Sequence, residues 1–265
     1  MRKLTKLIGF LILAFLVLLL GMYLLQEKLI FHPEPLADDY SYSFETPFEE
    51  IFIEGTDGAR LNALQFSVDK PKGTILYFHG NAGNLARWGE IGQWFTQFDY
   101  NVLIMDYRAY GKSTGSLSEK ALYEDAQLWY DYLKKSTPEN EIIVYGRSLG
   151  TTFAAKLAAA NKPCKAILET PFYSLKDVAK STFPFLPVGS LLKYQFPTYT
   201  FMDDIECPIA ILHGTSDSVV PYESGNKLSK TVSESLMTFV TVPEGDHNNL
   251  VAFEEYRKAI QTILQ

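Results

Sequence analysis

The chain has 265 residues, 47% hydrophobic and 21% charged, a balance that suits one large globular domain and speaks against disorder. Its formal net charge is −7 and its body carries no basic stretch, which argues against nucleic acid as a partner. Residues 7–25 are uncharged and dominated by Leu, Ile, Val and Phe. A helix needs about 20 such residues to cross a bilayer. A cleaved secretory signal is the rival reading, since Arg2, Lys3 and Lys6 form a positive leading segment. Signal cores run only about 7–15 residues and end at a small-residue cleavage site. The sequence Gly21-Met22-Tyr23-Leu24-Leu25-Gln26-Glu27-Lys28 has none. The expectation is an uncleaved single-pass anchor over 7–25, with residues 1–6 as a cytoplasmic tip. The body then lies on the far side of the membrane, periplasmic or lumenal.

Residues 26–43 read as a linker, because Pro33 and Pro35 block a continued helix. A domain over 44–265 follows. Strand-like runs at 50–53 and 60–68 flank Thr56-Asp57-Gly58, a hairpin signal. Short β-branched or aromatic runs then alternate with helix-period segments. The pairs are 74–78 with 85–98, 102–105 with 118–135, and 142–145 with 148–160. Two more are 209–212 with 222–230 and 237–242 with 251–264. Such alternation implies an α/β class with a mostly parallel sheet and helices on both faces. The run at 166–168 leads instead into 171–203, where Pro171, Pro184, Pro187 and Pro197 punctuate a stretch crowded with aromatic residues. It reads either as a core-packing connection or as a short cap. In the second case Phe172, Tyr173, Phe183 and Phe185 offer apolar walls to an acyl chain.

The chemistry centres on Gly146-Arg147-Ser148-Leu149-Gly150. A bare G-x-S-x-G is weak evidence, but Tyr145 closes an apolar run and Leu149 opens a helical one. Ser148 therefore falls on a strand-to-helix turn, where a nucleophile elbow has to be. A serine needs a base to take its proton. His32 lies beside the linker, while His79 and His213 each end a strand and precede Gly, so both are expected to pack or hydrogen-bond at the sheet edge. His247 sits in a polar loop between the last strand and the last helix, at the sheet edge where such sites gather, and is the expected base. Asp217 follows a strand and completes the order Ser, Asp, His, which makes it the expected orienting acid. Asp246 is expected to be solvated, and Asp106 to cap the 107–111 loop. The N–H groups of Leu149 and of Asn81, in the loop after the 74–78 strand, are the expected oxyanion donors. That loop could instead only cap the next helix.

Other features carry less. Arg147 and Glu169 read either as an ion pair beneath the nucleophile or as two solvated charges. Gly111-Lys112-Ser113 is not a phosphate loop, because Asp106 stands where that motif needs Gly. Cys164 and Cys207 precede neighbouring strands and could pair in an oxidising compartment, or stay as thiols. No spacing suggests a metal, and no cofactor is expected.

Taken together and in order, five motifs resemble the membrane-anchored α/β-hydrolase-domain proteins. They are His79-Gly80-Asn81-Ala82-Gly83-Asn84, Asp106-Tyr107-Arg108-Ala109-Tyr110-Gly111-Lys112-Ser113, the Ser148 pentapeptide, His213 with Asp217 and Val220-Pro221, and Gly245-Asp246-His247-Asn248. The family includes lysophospholipases and protein depalmitoylating thioesterases. The resemblance covers roughly 27–265. It implies the α/β-hydrolase fold, with an eight-stranded mostly parallel sheet, a Ser148–His247–Asp217 triad and hydrolysis of an ester or thioester. One departure is Ala109, where the family's loop usually carries Gly. Anchor and aromatic segment together suggest a lipid-like or acylated small-molecule substrate. A peptidase on the same fold and a non-catalytic membrane-tethered binding protein are the alternatives; oligomeric state stays open.

Overall fold

The long apolar run folds as one helix, α1 (Arg2–Ile30), in a computed structural model that describes residues 2–265. Met1, in the N-terminal tip, lies outside the described residues. At about 1.5 Å per residue the uncharged run spans about 28 Å, close to the hydrocarbon thickness of a bilayer. The run itself has none of its residues buried inside the protein. The helix continues to Ile30, into the segment expected as linker, and Pro33 prevents it going further. The rest of that segment is not loose. Phe31 is buried, and Pro33 and Pro35 form parallel bridges with Gly83 and Gly111.

Beyond it lies one eight-stranded sheet. Its strands are β1 (Phe48–Glu54), β2 (Arg60–Phe66), β3 (Thr74–Phe78), β4 (Asn101–Met105), β5 (Ile142–Arg147), β6 (Lys165–Glu169), β7 (Ile209–Gly214) and β8 (Met237–Val242). The spatial order is β1-β2-β4-β3-β5-β6-β7-β8. Pairs β1–β2 and β2–β4 are antiparallel, and all later pairs are parallel. The expected mostly parallel sheet is therefore present. The helices that follow α1 are α2 (Leu85–Trp94), α3 (Glu119–Leu133), α4 (Gly150–Ala160), α5 (Leu175–Thr182), α6 (Val188–Leu191), α7 (Tyr199–Met202), α8 (Tyr222–Ser229) and α9 (Glu254–Ile263).

Side-chain alternation along each strand divides the core in two. Leu76 and Phe78 face one side with Trp129 of α3, Phe153 of α4 and Leu228 of α8. Ile75 and Tyr77 face the other with Trp88 of α2 and Tyr256 and Ile260 of α9. Helices thus cover both faces, and every residue of β3, β5 and β7 is buried. Such strands read as continuous apolar runs.

The 171–203 stretch differs along its length in how deeply it is buried. Phe172, Tyr194, Phe196 and Met202 are buried in the core. Helix α5, by contrast, has no fully buried residue, and only its Leu175 and Val178 pack against that core.

Candidate active site

The turn from β5 to α4 is strained in the way an elbow requires. Ser148 has φ 50°, a left-handed conformation that costs a non-glycine residue on the order of 1–3 kcal/mol. Hydrogen bonds hold it there: Ser148 N–H donates to the Glu169 carbonyl at 2.9 Å, and Thr151 N–H to the Ser148 carbonyl at 3.0 Å. The flanking glycines are needed sterically. A side chain at Gly146 would run into the Gly150 carbonyl, and one at Gly150 into the Phe78 carbonyl.

Ser148, Asp217 and His247 follow β5, β7 and β8 at the same edge of the sheet, and their side chains meet. His247 Nε2 lies 2.9 Å from Ser148 Oγ, and His247 Nδ1 lies 2.8 Å from Asp217 Oδ2. The other carboxylate oxygen of Asp217 accepts the N–H groups of Val219 at 2.9 Å and Val220 at 2.7 Å. Burial works against the charge of Asp217. Hydrogen bonds from His213, His247 and Val220 outweigh it and hold the carboxyl well below the usual carboxylate range.

His213 was expected to pack or hydrogen-bond at the sheet edge. It does both: it is buried, and its Nε2 lies 3.2 Å from Asp217 Oδ2 and 3.0 Å from the Val220 carbonyl. Two imidazoles therefore share one carboxylate oxygen. Asp246, expected to be merely solvated, clips two loops together. Its Oδ1 accepts from Ser218 N–H at 2.8 Å, Ser218 Oγ at 3.0 Å and His247 N–H at 2.8 Å. Those hydrogen bonds, the Ser218 N–H first, lower its pKa.

Arg147 and Glu169 do form an ion pair, at 3.3 Å, and both are buried. The guanidinium also donates to the His247 carbonyl at 3.2 Å and to Asn248 Oδ1 at 3.3 Å. Tyr256 Oη donates to Glu169 at 3.0 Å from the far side.

The loop after β3 does two jobs. Asn84 caps α2, its Oδ1 accepting Ala86 N–H at 2.9 Å. Asn81 lines the same cavity as Ser148, and its side chain is engaged elsewhere. Its Oδ1 accepts from Tyr110 Oη at 2.6 Å, Ala82 N–H at 2.9 Å and His32 N–H at 3.2 Å, while its Nδ2 donates to the Ile30 carbonyl. Neither the Asn81 N–H nor the Leu149 N–H has an acceptor among the described residues, and both residues line the same cavity as Ser148.

Asp106 departs from expectation. It does not cap the 107–111 loop, which closes on itself through Tyr110 N–H to the Tyr107 carbonyl. Its carboxylate instead faces His79 Nε2 at 3.2 Å and accepts Leu85 N–H at 3.1 Å, at the start of α2. Burial raises its pKa. Ala109 adopts φ 68°, the left-handed conformation that explains why glycine suits that position. Lys112 is paired with Glu50 at 2.9 Å. Cys164 and Cys207 are both free thiols, the first exposed and the second buried; burial pushes the Cys207 thiol up to about 11.

A cavity of about 340 Å³ opens over Ser148. Of the four aromatic residues expected to wall it, Phe172 and Phe183 do so. Tyr173 is instead stacked on Tyr199 with ring centroids 4.6 Å apart, and Phe185 points to the outside, 96% exposed. The unexpected wall is α1, which contributes Met22, Gln26, Leu29 and Ile30, with His32 just beyond.

Known proteins resemble the chain in sequence and in fold. The Hydrolase_4 family model, described as serine aminopeptidase, S33, matches residues 69–202. Protein bem46 of Schizosaccharomyces pombe is 30% identical over 271 residues, covering 95% of this chain and 90% of that protein. The lysophosphatidylserine lipase ABHD12 of Rattus norvegicus is 34% identical over 183 residues, which is 61% of this chain and 46% of that protein. Among solved structures, the Pyrococcus furiosus esterase Pf2001 superimposes with a TM-score of 0.69 at 21% identity, covering 88% of this chain and 98% of that one, a likeness of fold. With its β5–α4 elbow and eight-stranded sheet, the chain belongs to the Hydrolase_4 family of α/β hydrolases.

Proposed function

We propose that this hydrolase is a membrane-anchored serine enzyme that cleaves carboxylic ester or thioester bonds of lipid-like acyl substrates. The observation that carries the reading is the unbroken line from Ser148 Oγ through His247 to Asp217, opening on a largely apolar cavity. His247 Nε2 takes the Ser148 hydroxyl proton as Oγ bonds to the carbonyl carbon. The oxygen that gains negative charge is received by the N–H groups of Leu149 and Asn81. The carbonyl re-forms as the bond to the alcohol or thiol breaks, and His247 gives its proton to the leaving group. Water then attacks the acyl-serine, passing a proton to His247; the acid departs and Ser148 recovers its hydrogen. Asp217 stays ionised throughout and steadies the imidazolium, while no cofactor enters any step.

The cavity favours acyl groups over peptides. An aminopeptidase has to hold a free ammonium group, and no carboxylate is among the described residues that line the cavity. The rat relative, named for lysophosphatidylserine, supports a lipid ester. An exposed apolar run over 7–25 supports α1 as the anchor of a domain at 44–265 with 171–203 as its cap. Arg2, Lys3 and Lys6 favour a cytoplasmic N-terminus and a periplasmic or lumenal body.

Labelling with a fluorophosphonate probe tests the nucleophile, with an acyl-ester and peptide panel to follow. Labelling is expected in the wild type and not in Ser148→Ala. Equal labelling of both would remove Ser148 from the mechanism, and turnover of peptides alone would favour the peptidase reading.

A further inference from the structure

The serine cavity has a wall that the hydrolase domain does not supply. Met22, Gln26, Leu29 and Ile30 lie on one face of α1, three or four residues apart, and that face closes the cavity. Met22 belongs to the uncharged run itself, about one turn before its end at Leu25. The cavity therefore begins at the depth of the acyl chains if α1 spans the bilayer. Its opposite wall is α5, through Leu175, Val178 and Ala179, together with Phe183.

At the level where it leaves the apolar run, α1 is pinned to the end of α6 and to the residues just after it. Gln26, only 5% exposed, accepts Lys193 N–H at 2.7 Å and donates to the Leu191 carbonyl at 3.2 Å. Tyr194 Oη donates to Glu27 at 3.0 Å. Lys193 Nζ sits 4.7 Å from the Tyr23 ring, and an aromatic ring with a lysine beside it is the usual marker of the headgroup level. The turn between α5 and α6, Phe183-Pro184-Phe185-Leu186-Pro187, consequently stands beside the membrane helix. Phe183 and Phe185 are both exposed on it, and Lys176, Lys180 and Lys193 are exposed around it. Apolar side chains ringed by lysines fit a bilayer surface, with rings among the acyl chains and ammonium groups among the phosphates.

We propose that the α5–α6 turn dips into the bilayer beside α1, so that the serine cavity opens into the hydrocarbon. A bilayer-resident ester or thioester slides its single long acyl chain between α1 and α5 and reaches Ser148 without crossing water. In this arrangement α1 is half of the acyl-chain site as well as an anchor. The inference rests on the hydrolase reading above for its substrate, but the position of the turn can be tested without any turnover.

The full chain in phosphatidylcholine vesicles provides both measurements. Phe185→Trp places a reporter on a side chain that packs against nothing, on a background of three native tryptophans. Nitroxide-labelled phosphatidylcholine is expected to quench the added emission, and added emission that is not quenched overturns the insertion. Phe185→Asp then separates access from chemistry. Its turnover of palmitoyl lysophosphatidylcholine in vesicles is expected to fall at least about tenfold, while water-soluble p-nitrophenyl acetate is hydrolysed within about twofold of wild type. Equal rates with wild type on both substrates, or an equal loss on both, overturn the proposed route. A wild type that hydrolyses neither substrate defeats the hydrolase reading instead, and the quenching result stands apart from that outcome.

Discussion

The Arg147 guanidinium donates to the main-chain carbonyl of His247 at 3.2 Å, so the residue before Ser148 holds the loop that carries His247. Its other contacts, Glu169 and Asn248, need the forked geometry of arginine. Arg147→Lys is expected to lower kcat on a short soluble ester by about 10–100-fold with KM nearly unchanged, because misplacing His247 weakens proton transfer without touching the cavity. Arg147→Ala should also lower the Tm, since it leaves Glu169 buried without its cation. Steady-state kinetics and thermal unfolding in detergent check both.

Asp217→Asn keeps the shape of the side chain and removes its charge. A neutral amide cannot steady the imidazolium, and kcat is expected to fall by on the order of 10⁴, as in serine proteases altered the same way. KM should stay close to wild type.

The same carboxylate governs acid stability. Its pKa in the folded chain is depressed, so the stability it contributes is fully present above its unfolded value, about 3.9, and is lost as pH falls towards the folded value. His213→Gln weakens one of the hydrogen bonds that depress it. The expected result is lower stability at pH 7 and a smaller difference between pH 7 and acid pH than in wild type. Urea titrations at several pH values in detergent measure that difference; an unchanged one separates His213 from Asp217.

Gly150→Ala drives a methyl group into the Phe78 carbonyl, a main-chain atom that cannot rotate away. Overpacking of this kind costs typically about 1–3 kcal/mol, and the elbow has no slack to relieve it. Loss of fluorophosphonate labelling together with a lower Tm is the expected signature.

Asp246→Ala tests the clip between the Ser218 and His247 loops. The carboxylate is at the surface, so the fold should tolerate the change, whereas His247 loses the acceptor for its own N–H. A drop in kcat of roughly tenfold with an unchanged Tm is expected.

How much of this could be read from the chain depends on whether the cause was local. The β3 run 74–78 and the β8 run 237–242 were legible to the residue, because β-branched and aromatic stretches this short are too brief for a helix. Ser148, Asp217 and His247 could be ordered because each lies within a few residues after a strand of the parallel part of the sheet. Alternation does not say that β4 lies between β2 and β3, since that order is set by packing. The role of Asp246 escaped for the same reason: it arises where the loops after β7 and β8 meet. The hidden half of the cavity had a visible signal. Gln26 is an amide placed on the face of α1 that also carries Met22 and Leu29. Hydropathy averages over all faces of a helix and so passes over such a residue.

The strap after α1 has a kinetic consequence. Glu34 N–H donates to the Gly83 carbonyl at 3.3 Å and Leu36 N–H to the Gly111 carbonyl at 2.8 Å, so nothing like a swivel joins helix to domain. With α1 in a bilayer, the serine is carried at one fixed height and its search is two-dimensional. Encounters with a lipid substrate then scale with its mole fraction in the surface. Diluting that substrate with inert lipid slows the enzyme even when the amount in the tube is constant.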